Sequence, residues 1–194
     1  MSERQSVDPG ERVYLRQAMP EDIDDDFVAM YADIDGRNRH FRLSGKPFTR
    51  AELIEFCRSG IQRGDVFYYA VYDRSDDKIV GSVRIGPIDF ANSVSDLVTL
   101  VGDVANRGKG IGVAAIECGN RVAFQEHNIR KLSSGVLEPN IASLKAYKRA
   151  GWVEEGRLEK HYRVDGQFVD WIPISCFNPE WKPEVALKRS ASKG

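Results

Sequence analysis

The segment whose residues most clearly suggest chemistry is the glycine-rich run RGKGIG, which begins at Arg107. It follows an apolar stretch and precedes a segment of helical periodicity, so the pattern predicts a turn that leads from a strand into a helix. Glycine allows the backbone to turn tightly and to approach a ligand closely. The first N–H groups of a helix lack intrahelical partners and favour an anion such as a pyrophosphate. Because Arg107 and Lys109 add positive charge, the segment predicts an anion-binding site.

Two other anion-binding motifs match this run poorly. The P-loop requires a serine or threonine after its Gly-Lys pair, and here Gly108 and Lys109 are followed by another glycine. The dinucleotide fingerprint G-x-G-x-x-[GA] does match Gly110, Gly112 and Ala115, but the acidic residue expected about 20 positions later is missing. Taken alone, the run favours a ligand-binding loop and a glycine-rich turn that binds nothing about equally.

A third motif, [RQ]-x-x-G-x-[GA] between a strand and a helix, matches the run at Arg107, Gly110 and Gly112. A second segment, NIASLKAYKRAGW, matches the pattern N-x-x-[AS]-x-x-x-Y-x-x-x-G-[FW] in register. Its named positions are occupied by Asn140, Ser143, Tyr147, Gly151 and Trp152. In this order, the two motifs resemble the acyl-CoA-binding segments of the GNAT superfamily of N-acetyltransferases. The final hairpin, LEKHYRVDGQFVDWIPI, resembles the polyamine and ribosomal-protein acetyltransferase branch, so the resemblance covers residues 12–177.

The resemblance implies a fold, a cofactor and a set of binding residues. The fold is α/β, with a mixed, mostly antiparallel central sheet, a splayed central strand pair and flanking helices. Acetyl-CoA, the acyl donor, would place its pantetheine arm between the splayed strands and its pyrophosphate on the loop. The residues implied in cofactor binding are Leu100, Val101, Val104, Arg107, Gly108, Lys109, Gly110, Ile111, Gly112, Asn140 and Ser143. Asn140 is also expected as a helix N-cap.

Tyr147 is the residue that the resemblance implies as the catalytic acid. When an amine attacks the thioester, the C–S bond breaks, and a phenol with a pKa of about 10 can protonate the leaving thiolate. Helical periodicity by itself favours a different role, a tyrosine ring packed in the core. The spacing of Tyr147 from Asn140 and Gly151 favours the catalytic role.

A general base must also remove a proton from the attacking amine, and several residues are candidates. Asp103 at the end of one central strand and Glu138 at the end of the next could act through water. Each could equally be an exposed carboxylate beside a loop, and Asp96 is a weaker candidate. His161 on the final hairpin is expected to pack beside its neighbour, while His40 lies in a polar loop that this family places over the acceptor.

Hydrophobic periodicity predicts the elements that must position these residues. Strands are predicted at residues 12–18, 66–73, 78–88, 96–104, 131–137, 152–164 and 167–176. Helices are predicted at residues 20–32, 50–62, 110–126 and 140–150. Thr49 and Glu52 match a capping box before the second helix, and Asp165-Gly166 is a hairpin-turn signal. One domain is expected over residues 11–178, between flexible tails at 1–10 and 179–194.

Composition limits the remaining classes of protein. The 194 residues, 42% of them hydrophobic, suit one domain with a substantial core. A formal net charge of −1 gives no overall attraction to nucleic acid or to an anionic membrane, and no apolar run reaches the ~18 residues of a membrane span. Cys57, Cys118 and Cys176 are odd in number and widely spaced, which predicts reduced thiols and no metal site. Because no signal peptide precedes the domain, we expect a cytoplasmic protein.

The resemblance therefore implies an N-acetyltransferase that transfers acetyl from acetyl-CoA to a primary amine in a ternary complex. The expected acceptor is a small molecule, either a polyamine or an amino sugar, selected by residues 33–48 and by the hairpin near Asp165. The alternatives are a protein N-terminal acetyltransferase, an acetyl-CoA sensor without turnover, and a nicotinamide enzyme that uses Gly110 and Gly112. Relatives are often dimers, so the resemblance also implies a homodimer.

Overall fold

The computed structural model describes residues 6–7, 12–29, 31, 48–102 and 108–183. The strands are β1 (Ser6–Val7), β2 (Val13–Gln17), β3 (Phe67–Asp73), β4 (Lys78–Asp89), β5 (Val94–Val101), β6 (Lys131–Leu137), β7 (Val153–Glu154), β8 (Leu158–Val164) and β9 (Gln167–Phe177). The helices are α1 (Asp25–Ala29), α2 (Arg50–Arg63), α3 (Ile111–Gln125) and α4 (Ile141–Arg149). A 3-10 turn covers Pro20–Asp22.

The strands of the described residues form one sheet in the order β1-β2-β3-β4-β5-β6-β9-β7, and β8 also pairs with β9. Every pair is antiparallel except β5 with β6. The parallel pairing joins only Val94–Asp96 to Lys131–Ser133, although β5 continues to Val101 and β6 to Leu137. The two central strands therefore separate beyond Asp96, which confirms the predicted sheet with its splayed pair.

Helices pack on both faces of the sheet. On one face, Ile111 of α3 and Tyr147 of α4 join the larger of two hydrophobic clusters. On the other face, Phe27 of α1 and Leu53 of α2 join the second cluster. The gap that opens between β5 and β6 is therefore covered by α3 and α4 on one face. We call the face that carries α3 and α4 the helix-α4 face.

The helix predicted over residues 20–32 is wrong, because the structure has two short elements there, the 3-10 turn and α1. Asp22 Oδ2 accepts a hydrogen bond from the Met19 N–H at 2.8 Å, and Asp24 Oδ1 accepts one from the Phe27 N–H at 2.8 Å. A carboxylate that caps a new helix competes with continuation of the preceding turn. The acidic run thus divides the segment.

The final hairpin and the N-terminal tail also differ from the prediction. The strand predicted at 152–164 is divided into β7 and β8, and the pairing of β8 with β9 is shifted between Leu158 and Tyr162. The turn at Asp165 and Gly166 is present, with φ of 50° and 81°, as a tight hairpin turn requires. Strand β1 lies within the predicted flexible tail but pairs with β2.

The three cysteines are free and buried, as predicted. Among the described residues, no helix is both long and apolar enough to cross a bilayer. Within that same part of the chain, no cluster of three or more His, Cys, Asp or Glu side chains could hold a metal ion.

Candidate active site

The glycine-rich loop opens directly into α3. Gly108 has φ of +75° and Gly110 has φ of +83°, a left-handed conformation that side chains other than glycine rarely adopt. The first N–H group that donates within the helix is that of Ala114, to the Gly110 carbonyl at 3.0 Å. The N–H groups that precede it are those that a helix leaves without intrahelical partners.

Space remains in front of this helix N-terminus. A Cβ atom built on Gly108 or Gly110 meets no heavy atom within 4 Å among the described residues, and Lys109 is exposed between them. Open space, orphan N–H groups and a lysine are what a diphosphate needs. Of the other residues predicted here, Asp103, Val104 and Arg107 lie outside the described residues.

The splayed strands form a gap beside this loop. One wall is the part of β5 beyond Asp96, and the other is the part of β6 beyond Ser133. Backbone groups of two parallel strands that no longer pair can bond to a chain that lies between them. The gap therefore suits an extended arm with amide groups, such as pantetheine.

Helix α4 directs Tyr147 into this gap. The helix begins after Asn140, whose Oδ1 accepts a hydrogen bond from the Ser143 N–H at 3.3 Å, so the N-cap role of Asn140 is confirmed. Two turns later, the Tyr147 hydroxyl donates to the Leu97 carbonyl on β5 at 3.4 Å, and the residue is only 4% exposed. Leu97 directly follows Asp96, the last residue of β5 that pairs with β6. The phenol hydroxyl therefore lies where the strand pair opens.

The protonation state of Tyr147 is set mainly by its burial. Burial raises the pKa of the Tyr147 phenol above its ordinary value of 10.0, while the nearby hydroxyl groups of Thr99 and Ser134 act in the opposite direction. The phenol is consequently protonated at neutral pH. Burial therefore keeps the proton on the phenol, and the hydroxyl groups that lower its pKa favour its transfer to a thiolate.

A polar network in the core fixes the C-terminal end of α4. The Asn120 side-chain NH₂ on α3 donates to the Ala150 carbonyl at 3.2 Å, and its Oδ1 accepts from Trp152 Nε1 at 3.1 Å. The Trp152 ring packs edge-on against the Tyr147 ring, with centroids 4.8 Å apart. The network therefore fixes the ring that supports Tyr147.

A carboxylate lies at the same level on the opposite face of β5. Asp96 precedes Leu97, and successive side chains of a strand point to opposite faces. Its Oδ2 is 3.7 Å from the Arg84 guanidinium on β4. Burial raises the pKa of Asp96, and Arg84 partly offsets this effect. A carboxylate with a raised pKa is a better proton acceptor than one with an ordinary pKa.

The other predicted acid and histidine lie elsewhere. Glu138 is exposed just beyond the end of β6, where its N–H donates to the Asp170 carbonyl at 3.0 Å. It is five residues past Ser133, which at about 3.3 Å per residue is about 16 Å along the strand. His161 is exposed and packs edge-on against Tyr162, with centroids 4.6 Å apart.

The remaining residues predicted to bind the cofactor are buried or half-buried in the structure. The side chains of Leu100 and Ile111 are buried in the two hydrophobic clusters, at 5% and 0% exposure. Val101 is half-buried, and its Cγ2 lies 3.6 Å from the position of a Cβ on Gly112. Contacts from Leu100 and Ile111 to a ligand must therefore be made by N–H and C=O groups.

Three residues near Tyr147 and Asp96 escaped the sequence prediction. Thr99 could have been placed on the helix-α4 face by the period-two pattern of β5, because Leu97 and Val101 both pack there. Arg84 and Ser134 carry no such signal. They reach the site only through pairing of β4 with β5 and of β5 with β6, which is non-local.

A helix N-terminus that binds a diphosphate at one end of an opened strand pair, with a phenol at the other end, suits a long thioester that carries phosphates. This combination describes the class of acyl-CoA-dependent N-acetyltransferases. The family model of the acetyltransferase (GNAT) domain matches residues 12–153. The chain therefore belongs to the GNAT family, and it is an N-acetyltransferase with acetyl-CoA as its donor.

Individual relatives agree with this assignment. The probable N-acetyltransferase YjcK of Bacillus subtilis (strain 168) is 24% identical over 131 residues, covering 68% of this chain and 72% of that protein. The SPbeta prophage-derived uncharacterized N-acetyltransferase YokL of the same organism is 26% identical over 174 residues, covering 87% of this chain and 89% of that protein.

Solved structures share the fold. The ribosomal-protein-S5-alanine acetyltransferase from Vibrio fischeri has a TM-score of 0.70 and 24% identity, covering 92% of this chain and all of that one. The spermidine N-acetyltransferase from Vibrio cholerae, in complex with CoA and spermine, has a TM-score of 0.74 and 19% identity. That match covers 87% of this chain and 96% of the other.

Proposed function

We propose that this protein transfers acetyl from acetyl-CoA to the primary amine of a small molecule, by direct attack in a ternary complex. The observation that carries the proposal is the Tyr147 hydroxyl, buried at the opening of the splayed strands and 3.4 Å from the Leu97 carbonyl. The hydroxyl of a buried tyrosine needs a hydrogen-bond partner, and the partner of this one places its proton where the sheet separates.

The chain offers binding groups along the length of the donor. The N–H groups from Lys109 to Gly112 hold the pyrophosphate at the N-terminus of α3. The side-chain NH₂ of Asn140 contacts the pantetheine arm, because its Oδ1 is occupied by the helix cap. Arg107 adds charge at the loop.

The proton transfers assign one role to each face of β5. The acceptor reacts as its free amine, and Asp96 removes one proton from the attacking nitrogen, through water, on the face away from α4. The amine nitrogen forms its bond to the thioester carbonyl carbon, and the C–S bond then breaks. Tyr147 gives its proton to the thiolate. We favour Asp96 over Glu138 because Asp96 is adjacent to Leu97, the residue to which Tyr147 bonds.

A cationic acceptor has further support. A cavity of about 220 Å³ is lined by Glu21, Asp22 and Asp24 together with Arg16. It lies on the face of the sheet that carries Asp96, because its Phe27 wall and Leu100 belong to one cluster. These carboxylates favour a polyamine, which carries several ammonium groups, over an amino sugar, which carries at most one. Likeness to the ribosomal-protein-S5-alanine acetyltransferase favours a protein N-terminus as the second candidate.

The test is a screen for acetyl-CoA-dependent release of free thiol, with polyamines, amino sugars and N-terminal peptides as acceptors. We expect turnover with a small amine, and a melting temperature that rises with acetyl-CoA but not with NADH. Stabilisation by acetyl-CoA without thiol release from any acceptor would show a sensor. Turnover confined to peptides would show a protein N-terminal acetyltransferase.

A further inference from the structure

We propose that Thr99 and Ser134 are positioning residues, whose hydroxyl groups take over the Tyr147 oxygen when it gives up its proton. The inference rests on the proposed function of Tyr147 as the acid. It assigns roles to two side chains that none of the matched motifs contains.

The strand pattern places Thr99 on the same face as Tyr147. The neighbours of Thr99 at two-residue spacing are Leu97 and Val101, and both approach α3. A Cβ on Gly119 would lie 2.9 Å from Leu97 Cδ1, and one on Gly112 would lie 3.6 Å from Val101 Cγ2. Because strand side chains alternate, Thr99 points to the helix-α4 face as well.

The Thr99 hydroxyl is an unusual feature of this site. Its oxygen is shielded from solvent and has no hydrogen-bond partner in the described part of the chain. Burying a hydroxyl without a partner destabilises a protein, so such groups are rare unless a ligand or a reaction step supplies the partner. Thr99 follows two residues after Leu97 on β5, and the Leu97 carbonyl accepts the hydrogen bond from the Tyr147 hydroxyl.

Ser134 lies on the other wall of the gap. It is the first residue of β6 after the last parallel pair, and it points to the helix-α4 face because Leu132 and Val136 join the cluster of that face. Both Thr99 and Ser134 are near enough to the phenol to lower its pKa. Three hydroxyl groups from β5, β6 and α4 thus meet where the strands part.

The step is balanced by the substrates and the three residues. The Tyr147 O–H bond breaks as the S–H bond of CoA forms, which leaves a phenolate and releases the Leu97 carbonyl. Thr99 and Ser134 then donate hydrogen bonds to the phenolate, and neither loses its proton. The phenolate regains a proton from solvent after product release. Hydrogen bonds to a charged oxygen are about twice as strong as neutral ones, so these contacts favour the proton transfer.

The primary test compares Thr99→Val, which keeps the side-chain shape, with Thr99→Ser, which keeps the hydroxyl. Thiol release from acetyl-CoA is measured with the best amine of the screen and with hydroxylamine, a small nucleophile that needs little acceptor pocket. We expect Thr99→Val to lower kcat about 10- to 100-fold with KM for acetyl-CoA unchanged, and Thr99→Ser to retain most activity.

The melting temperature of Thr99→Val provides a second measurement, and it should rise while kcat falls. Thr99→Val removes a buried hydroxyl that has no partner, so we expect the melting temperature of the free protein to rise by about 2–8 °C. A residue that merely packs would lose stability and activity together. A gain of stability with a loss of kcat therefore supports the positioning role.

A double-mutant cycle links the effect to Tyr147. In a Tyr147→Phe background, Thr99→Val and Ser134→Ala should cause no further loss of kcat, because the oxygen that they hold is gone. Suppose that Tyr147→Phe is impaired, but that Thr99→Val and Ser134→Ala either retain wild-type kcat or add their losses to that of Tyr147→Phe. The inference is then refuted, while the proposed function stands. If Tyr147→Phe is fully active, the acid in the proposed function is refuted, and the inference with it.

Discussion

Replacement of Tyr147 by phenylalanine separates the catalytic role of its hydroxyl from its structural one. The change removes one oxygen and keeps the ring, whose edge packs on Trp152 with centroids 4.8 Å apart. The lost hydrogen bond to the Leu97 carbonyl is 3.4 Å long, which is longer than usual for a hydroxyl donor, so it is weak. We therefore expect the free energy of unfolding to fall by at most about 1 kcal/mol.

The effect on turnover should be much larger. General-acid catalysis contributes about 10²- to 10⁴-fold, which corresponds to about 2.7–5.4 kcal/mol in the activation free energy. Since burial raises the pKa of Tyr147 above 10.0, the wild-type phenol remains protonated from acid to moderately basic pH. The loss of kcat should consequently be nearly uniform over that range.

The assay is thiol release from acetyl-CoA across pH, together with urea unfolding and acetyl-CoA titration of the same variant. Tyr69→Phe is the matched control, because Tyr69 on β3 is also buried and its hydroxyl also makes a hydrogen bond, to His127 Nε2 at 3.1 Å. Wild-type kcat in the Tyr147 variant at every pH would refute the reasoning. A large loss of stability would instead show that the hydroxyl is structural.

Three more changes test the loop, the base and the support of α4. Gly110→Ala should lower the free energy of unfolding by about 1–2 kcal/mol, because a Cβ is strained at φ of +83°, and it should raise KM for acetyl-CoA. The control is Gly156→Ala, at a glycine without positive φ. Equal KM values for the two variants would contradict the loop assignment. Asp96→Asn should lower kcat/KM about 100-fold and abolish the acid limb of the pH profile. Desolvation raises the pKa of this carboxyl above 3.8, so the wild-type base is lost at a higher pH than an aspartate of ordinary pKa would be. An unchanged acid limb would exclude Asp96 as the base. Asn120→Leu should lower the free energy of unfolding in urea by about 2–4 kcal/mol, because Trp152 Nε1 and the Ala150 carbonyl lose their partners. Wild-type stability would show that the network contributes little.

The local pattern of the chain determined most of the elements by itself. Strand β6 was predicted at residues 131–137 and is found there, and the capping box of Thr49 and Glu52 precedes α2 as expected. The run from Arg107 to Gly112 predicted a turn into a helix, and α3 begins within it. These features depend on residues a few positions apart, so one sequence without structure is enough to recognise them.

Local competition explains the elements that the sequence missed. The helical pattern over residues 20–32 does not reveal that Asp22 and Asp24 cap two separate turns. The alternation over 152–164 does not reveal the register shift that divides β7 from β8. In both places a local irregularity interrupts the regular element, and hydrophobic periodicity does not report it.

The tertiary structure alone decided which side chains share the site. Tyr147 and Leu97 are 50 residues apart, and only the packing of α4 over the opened strands joins them. Arg84 meets Asp96 through the pairing of β4 with β5. Contacts of this kind depend on strand register and on where a parallel pair ends, and both are set by burial of the whole sheet. The sequence could therefore name the family of chemistry, while the fold determined which hydroxyl and which carboxylate are placed to perform it.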